Sequence, residues 1–172
     1  MKISPNEFEF LTLTKNDVPK ILDLQDRVIA SLENPDVLRK NTEQMFLECV
    51  QKPNLSLGVF YGGELIAIGI LYFVTRPEED LVGLLVGVDT KGKRTANSKL
   101  CMVDKPFRGN GLQCMLGERL EKYAKDCGVE LLCATVSPSN PYSENNLLKL
   151  GFIKNVTLQK YGAPRNLLYK KI

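Results

Sequence analysis

"VDKPFRGNGLQCML", residues 103–116, decides how the rest of this chain is read. A strand-like run ends at Val103, then a Pro, an Arg and two Gly follow, and an amphipathic helix begins. Strand, glycine-rich turn and helix start are the arrangement by which a chain presents backbone N–H groups to a phosphate. Gly109 and Gly111 remove side chains where backbone must approach a ligand. Arg108 and Lys105 add positive charge, and the new helix aims its positive dipole end at the same place. A diphosphate suits this better than a carboxylate. The bland alternative is a glycine-rich turn entering an ordinary helix, and "RGNG" alone does not choose between the two. Two other phosphate motifs are excluded: "GNGLQC" is not GxGxxG, because Cys114 stands at the third Gly, and no GK[ST] occurs.

Downstream of this turn, Leu112, Met115, Leu116, Leu120, Tyr123, Ala124 and Cys127 mark one face of a helix that Gly128 stops. "ELLCATVS" (Glu130–Ser137) reads as a buried strand. Asn140-Pro141 is an N-cap with proline at the first helical position, and that helix runs to Leu150. Phe152–Tyr161 and Asn166–Ile172 form a closing strand pair around "YGAPR". Upstream, Glu7–Leu13 alternates as a half-buried strand, and Thr14 or Asn16 caps a helix reaching about Leu32. A shorter helix spans Thr42 to Gln51, and Leu55–Tyr61 and Leu65–Thr75 make a hairpin about Gly62-Gly63. Lys99–Val103 is the strand feeding the turn, and residues 81–98 give no firm pattern. Hairpins imply antiparallel pairing, whereas strand–helix–strand over 99–137 implies one parallel pair. The expectation is a single domain, 1–172, of mixed α/β class: one twisted, mostly antiparallel sheet with helices on both faces.

Composition narrows the function. The chain has 172 residues, 44% hydrophobic and 25% charged, as ordinary globular domains do. A net charge of +3 argues against nucleic acid as the main partner. The start lacks the apolar run of a signal peptide, and nothing approaches the length of a membrane span, so a cytoplasmic protein with no membrane partner is expected. Cys49, Cys101, Cys114, Cys127 and Cys133 form no CxxC pair and read as buried free thiols in a reducing compartment. Histidine is absent, which removes Ser-His-Asp and Cys-His triads and histidine metal sites. A general base must then be a carboxylate, a Tyr, a Lys or water.

"V-D-K-P-F-R-G-N-G-L" resembles the acetyl-coenzyme A signature of the Gcn5-related N-acetyltransferases, Q/R-x-x-G-x-G/A, with Arg108 at its first position and Gly111 at its fourth. Gln113 departs from the last, where Gly or Ala is usual. "V-S-P-S-N-P-Y-S-E-N-N-L-L-K-L-G-F" is similar to the family's strand, Asn, helix and "K-L-G-F", with Asn140 at the family's coenzyme-contacting Asn. The order of elements agrees over residues 7–172. The resemblance implies acetyl-coenzyme A as cosubstrate and no metal. It also implies transfer to a small-molecule or peptide amine by direct attack, and pairing of two copies, as family members often pair. Backbone of Cys101, Met102 and Val103 would take the pantetheine arm. Arg108 and the amides of Gly109, Asn110, Gly111, Leu112 and Gln113 would take the diphosphate, joined by Asn140.

One departure bears on mechanism. Leu147 occupies the position where many members carry a Tyr general acid, and Ser143, one turn earlier on the same face, could contact the thiol or simply pack beneath it. No Glu stands on strand 99–103. Asp104 serves as the general base or only orients the turn or Lys105; Glu78-Glu79-Asp80 lines an amine cleft or forms a solvated run. Tyr161 and Arg165 border the acceptor side, where Arg165 would suit a carboxylate. Two other readings compete with the enzyme: a coenzyme A-binding sensor on the same fold, and a nucleotide-phosphate binder.

Overall fold

The computed structural model describes all of residues 1–172. Seven strands form one sheet in the order β1-β2-β3-β4-β5-β7-β6. They are β1 (Glu9–Thr12), β2 (Leu55–Tyr61), β3 (Glu64–Tyr72), β4 (Thr95–Val103), β5 (Leu131–Val136), β6 (Ile153–Lys160) and β7 (Ala163–Lys171). The helices are α1 (Val18–Ala30), α2 (Glu43–Cys49), α3 (Leu112–Asp126) and α4 (Pro141–Lys149). All strand pairs are antiparallel except β4 with β5. The mixed sheet with one parallel pair is therefore the expected one.

β3 explains why the sheet is covered on both sides. Its residues alternate, so Ile68, Ile70 and Tyr72 meet Ile21, Leu24, Val28 and Phe46 of α1 and α2. Leu71 and Phe73 pack on the other face with Leu120 and Ala124 of α3. Gly69 lies between them, and a Cβ there would come within 3.0 Å of Leu120 Cδ1 and 3.2 Å of Leu116 Cβ. Glycine thus lets α3 lie close on the sheet beside β3 and β4.

The caps follow the sequence. Thr42 Oγ1 accepts from Met45 N at 3.2 Å to start α2, and Asn140 Oδ1 accepts from Ser143 N at 3.1 Å to start α4. Such caps contribute about 1 kcal/mol each. Thr14 instead caps a 3-10 turn, Lys15–Asp17, that leads into α1.

Three strand boundaries differ from expectation by three residues or more, the first being the end of β3, at Tyr72 rather than Thr75. β4 begins at Thr95 rather than Lys99, inside the stretch without a firm pattern, because Thr95, Ala96 and Asn97 pair with Leu131, Leu132 and Cys133 of β5. Tertiary pairing recruits residues that local sequence leaves undecided. β7 begins at Ala163 rather than Asn166, since Tyr161 and Gly162 alone make the turn, with φ of 57° and 78°. That places Arg165 inside a strand opposite Leu158. Pro164 is tolerated there because β5 ends opposite Asn166, leaving β7 a neighbour on one side only.

Candidate functional site

The parallel pairing of β4 with β5 lasts only three residues, ending at Asn97↔Cys133. Beyond it the strands diverge, and Ser98–Val103 keeps β3 as its only neighbour. Leu100 pairs with Ile70 and Ser98 with Leu71, so Lys99 has no partner and β4 bulges there. A cleft of about 110 Å³, open to solvent, occupies the divergence. Its walls include Ser98–Cys101 of β4, Ala134–Val136 of β5, and Gln113, Ser143 and Leu147 of α3 and α4. Residues 37–39, Asn41, Tyr161 and Arg165 complete it.

At one side of the cleft stands the glycine turn. Gly109 and Gly111 have φ of 82° and 73°, conformations that glycine adopts without the cost other residues meet. Gly111 is the N-cap of the 15-residue α3, and no side chain caps it. The first amides of α3 are thus left for an external acceptor. The side chains around them are otherwise engaged. Arg108 donates from Nε to Val103 O at 3.1 Å and from Nη2 to Ser31 Oγ at 2.9 Å. Asn110 accepts from Ile3 N at 3.0 Å and donates to Met1 O and Phe107 O, pinning the N-terminal segment. Asp104 holds Arg27 and accepts from Lys105 N at 2.8 Å, which makes it a residue that orients the turn.

The remaining sequence-derived residues divide. Cys101, Gln113, Asn140 and Ser143 line the cleft. Met102 faces the α1 side and Leu112 the core beneath α3, both buried, so only their backbone is available to a ligand. Gln113 Nε2 donates to Ser143 Oγ at 2.9 Å, and Gln113 Oε1 accepts from Asn146 Nδ2 at 3.0 Å. The side chain at the motif's departing position therefore ties α3 to α4. Leu147 is 6% exposed, packed in the core as well as lining the cleft.

The cysteines depart in part from expectation: all five are free, but only Cys49 and Cys133 are buried, the others being half-buried. Burial pushes the Cys101 thiol up to about 12. It is not a thiolate near neutral pH, and it offers no covalent nucleophile.

The opposite side of the cleft holds a charge network whose partners Arg39 and Lys99 sequence reading missed. Of Glu78-Glu79-Asp80, the outer two are exposed, whereas Glu79 is 1% exposed and central to a network. Its Oε1 accepts from Arg39 Nη1 at 2.7 Å, and its Oε2 from Lys99 Nζ at 2.9 Å and Tyr161 Oη at 3.2 Å. Its backbone oxygen accepts from the buried Asn97 Nδ2 at 2.8 Å. Burial works to raise the Glu79 carboxyl, but Lys99 and Arg39 overcome it and hold it below the usual range. Burial and the neighbouring carboxylate push the Tyr161 phenol up, so it stays protonated. Arg39 stacks 4.1 Å from the Tyr161 ring centroid. Isolated glutamates in polar loops carry no periodic signal, so only the lone β4 Lys99 opposite them hinted at this pairing.

Residues 25–152 match the sequence model of the acetyltransferase (GNAT) family. The chain belongs to that family. No curated protein matches the sequence at a significant level. Several solved GNAT-fold acetyltransferases share its architecture. A GNAT-family acetyltransferase from Streptococcus pneumoniae is 19% identical with a TM-score of 0.71, covering 96% of this chain and 99% of its own. The yncA acetyltransferase of Salmonella typhimurium, solved with its cofactor acetyl-CoA, is 15% identical with a TM-score of 0.70, covering 96% and 94%. A ribosomal-protein-alanine N-acetyltransferase from Brucella melitensis is 18% identical with a TM-score of 0.71, covering 95% and 99%. At these identities the likeness is one of fold, and the GNAT assignment rests on the family match.

Proposed function

We propose that this GNAT protein transfers an acetyl group from acetyl-coenzyme A to a primary amine by direct attack within a ternary complex. The observation that carries this reading is the divergence of β4 from β5 beside an uncapped α3 N-terminus. It supplies an unpaired strand edge for the pantetheine arm and free amides for the diphosphate. At this cleft the Gln113 side chain crosses between α3 and α4.

Acetyl-coenzyme A supplies an acetyl group already activated as a thioester. The chain's own residues orient the partners, and a backbone N–H on the unpaired edge of β4 polarises the carbonyl. Cys101, held as a neutral thiol, takes no part as a covalent carrier. Glu79, kept ionised by two cations, is a weak base, so the amine's proton passes to solvent. Leu147 offers no acid, but a thiol of pKa about 8.5 leaves tolerably at neutral pH without one.

The Gln113 bridge favours a second reading: a coenzyme A-binding sensor whose closed α3–α4 wedge prevents turnover. Calorimetric titration with acetyl-coenzyme A, using ATP and NAD as controls, tests both. Selective binding near micromolar, about −8 kcal/mol, with free thiol released in the presence of an amine, supports the enzyme. Binding without thiol release from any of a broad amine panel supports the sensor. ATP binding more tightly than acetyl-coenzyme A overturns both.

A further inference from the structure

We infer that the acceptor amine carries a carboxylate, anchored by Arg165; the inference rests on the acyl-transfer reading above. Arg165 lines the cleft from β7, is 5% exposed and forms no ion pair. Its Nη1 donates to Pro164 O at 3.0 Å and its Nη2 to Asp36 O at 2.8 Å. Carbonyl oxygens fix its orientation without answering its charge. The exposed Asp36 offers this guanidinium its backbone, while its carboxylate acts only from farther away. A buried cation without a counter-ion is costly. A ligand carboxylate removes that cost, and the planar guanidinium fork matches its two oxygens.

The surrounding charges select the same class. Arg39 and Lys99 are both taken by Glu79, so Arg165 is the cation in this wall that lacks a carboxylate. Three cations face one carboxylate. Polyamines and aminoglycosides meet repulsion there, and a phosphate finds only one free cation where it would want more.

A second atom asks for the other end of such a molecule. Asn41 Oδ1 is buried in the same cleft wall with no hydrogen-bond partner. The residue cannot turn to relieve it. Its N–H donates to Gln25 Oε1 at 2.8 Å, its carbonyl accepts from Gln25 Nε2 at 2.9 Å, and its Nδ2 donates to Arg39 O at 3.1 Å. An orphaned acceptor needs an N–H donor. Residues 36–41 thus form a strap running from Arg165 on β7 to Gln25 on α1. It borders a guanidinium that lacks an anion and a carbonyl that lacks a donor, the complement of an amino acid.

The test compares acetyl transfer to L-amino acids and dipeptides with transfer to their C-terminal amides, with spermidine as cationic control. The carboxylates are expected to show roughly 10–100-fold higher kcat/KM, the scale of one charge-assisted contact. Arg165→Gln brings that ratio near one, chiefly through KM for the carboxylates. Because Arg165 also ties down Asp36, a variant that does not fold is replaced by thermal-shift titration of the wild-type protein with the same paired compounds, with and without coenzyme A. Equal response to acids and amides overturns the inference. Failure of acetyl-coenzyme A to bind overturns the acyl-transfer reading instead. Carboxylate-selective binding that Arg165→Gln abolishes still assigns the anchor to Arg165 in that case.

Discussion

Gln113 Nε2 donates to Ser143 Oγ at 2.9 Å, lacing the first turn of α3 to the first turn of α4 across the top of the cleft. Asn146 closes the lace by donating to Gln113 Oε1 at 3.0 Å. At the last position of the signature that this turn resembles, the chain has a side chain that joins two helices.

Gln113→Ala is expected to tighten acetyl-coenzyme A binding while lowering stability by about 1–2 kcal/mol, the net value of two neutral hydrogen bonds. Calorimetry and urea unfolding measure the two effects. Weaker binding would show that Gln113 itself holds the coenzyme.

Glu79→Gln is expected to destabilise the fold by about 3 kcal/mol, because it strands Lys99, whose side chain is 6% exposed, beside a neutral amide. The pH dependence has a definite sign. Glu79, Glu48 and Glu121 are all held below the usual carboxylate value of 4.5 in the folded protein. Their contribution is fully present above pH 4.5 and is lost as pH falls through the lower folded values. Urea midpoints should stay level from pH 7 to about 5 and then drop, and the drop should be shallower in Glu79→Gln. An unchanged acid slope in that variant would remove Glu79 from the account.

Leu147→Tyr probes the position that often supplies an acid. Leu147 packs with Leu120, Val136 and Leu168, so a larger ring is expected to cost about 1–3 kcal/mol through overpacking. Thiol release should not accelerate. A faster rate at unchanged melting temperature would show that the hydroxyl reaches the cleft and that a missing acid limits turnover.

Cys101→Ala tests direct attack. With the thiol pushed up to about 12, removing it should leave kcat within a few-fold of wild type. Initial-rate patterns should be sequential in both proteins. A ping-pong pattern lost in the variant would establish an acyl-cysteine.

Local signals made much of this readable from the letters. Asn140-Pro141, Gly128, Gly151 and the Gly62-Gly63 turn act through the conformation of a residue and its immediate neighbours, and each stands where its chemistry requires. The ends of strands were less readable. β4 extends back to Thr95 because β5 is there to pair with it, and Arg165 lies in a strand because a two-residue turn brings β7 into register early.

By itself, the sequence determined the mixed α/β class, the order of elements and the glycine turn at residues 108–111, all consequences of short-range periodicity and glycine conformation. The tertiary structure alone decided what the cleft contains. Glu79 looks like one more acidic loop residue until folding sets it against Arg39, Lys99 and Tyr161, 40, 20 and 82 residues away in sequence. Arg165 stood out in the closing hairpin as a residue that would suit a carboxylate, but only folding shows that it is buried without an ion-pair partner. Burial and charge balance depend on distant segments, because the cost of a charge is set by what surrounds it in space rather than what adjoins it along the chain.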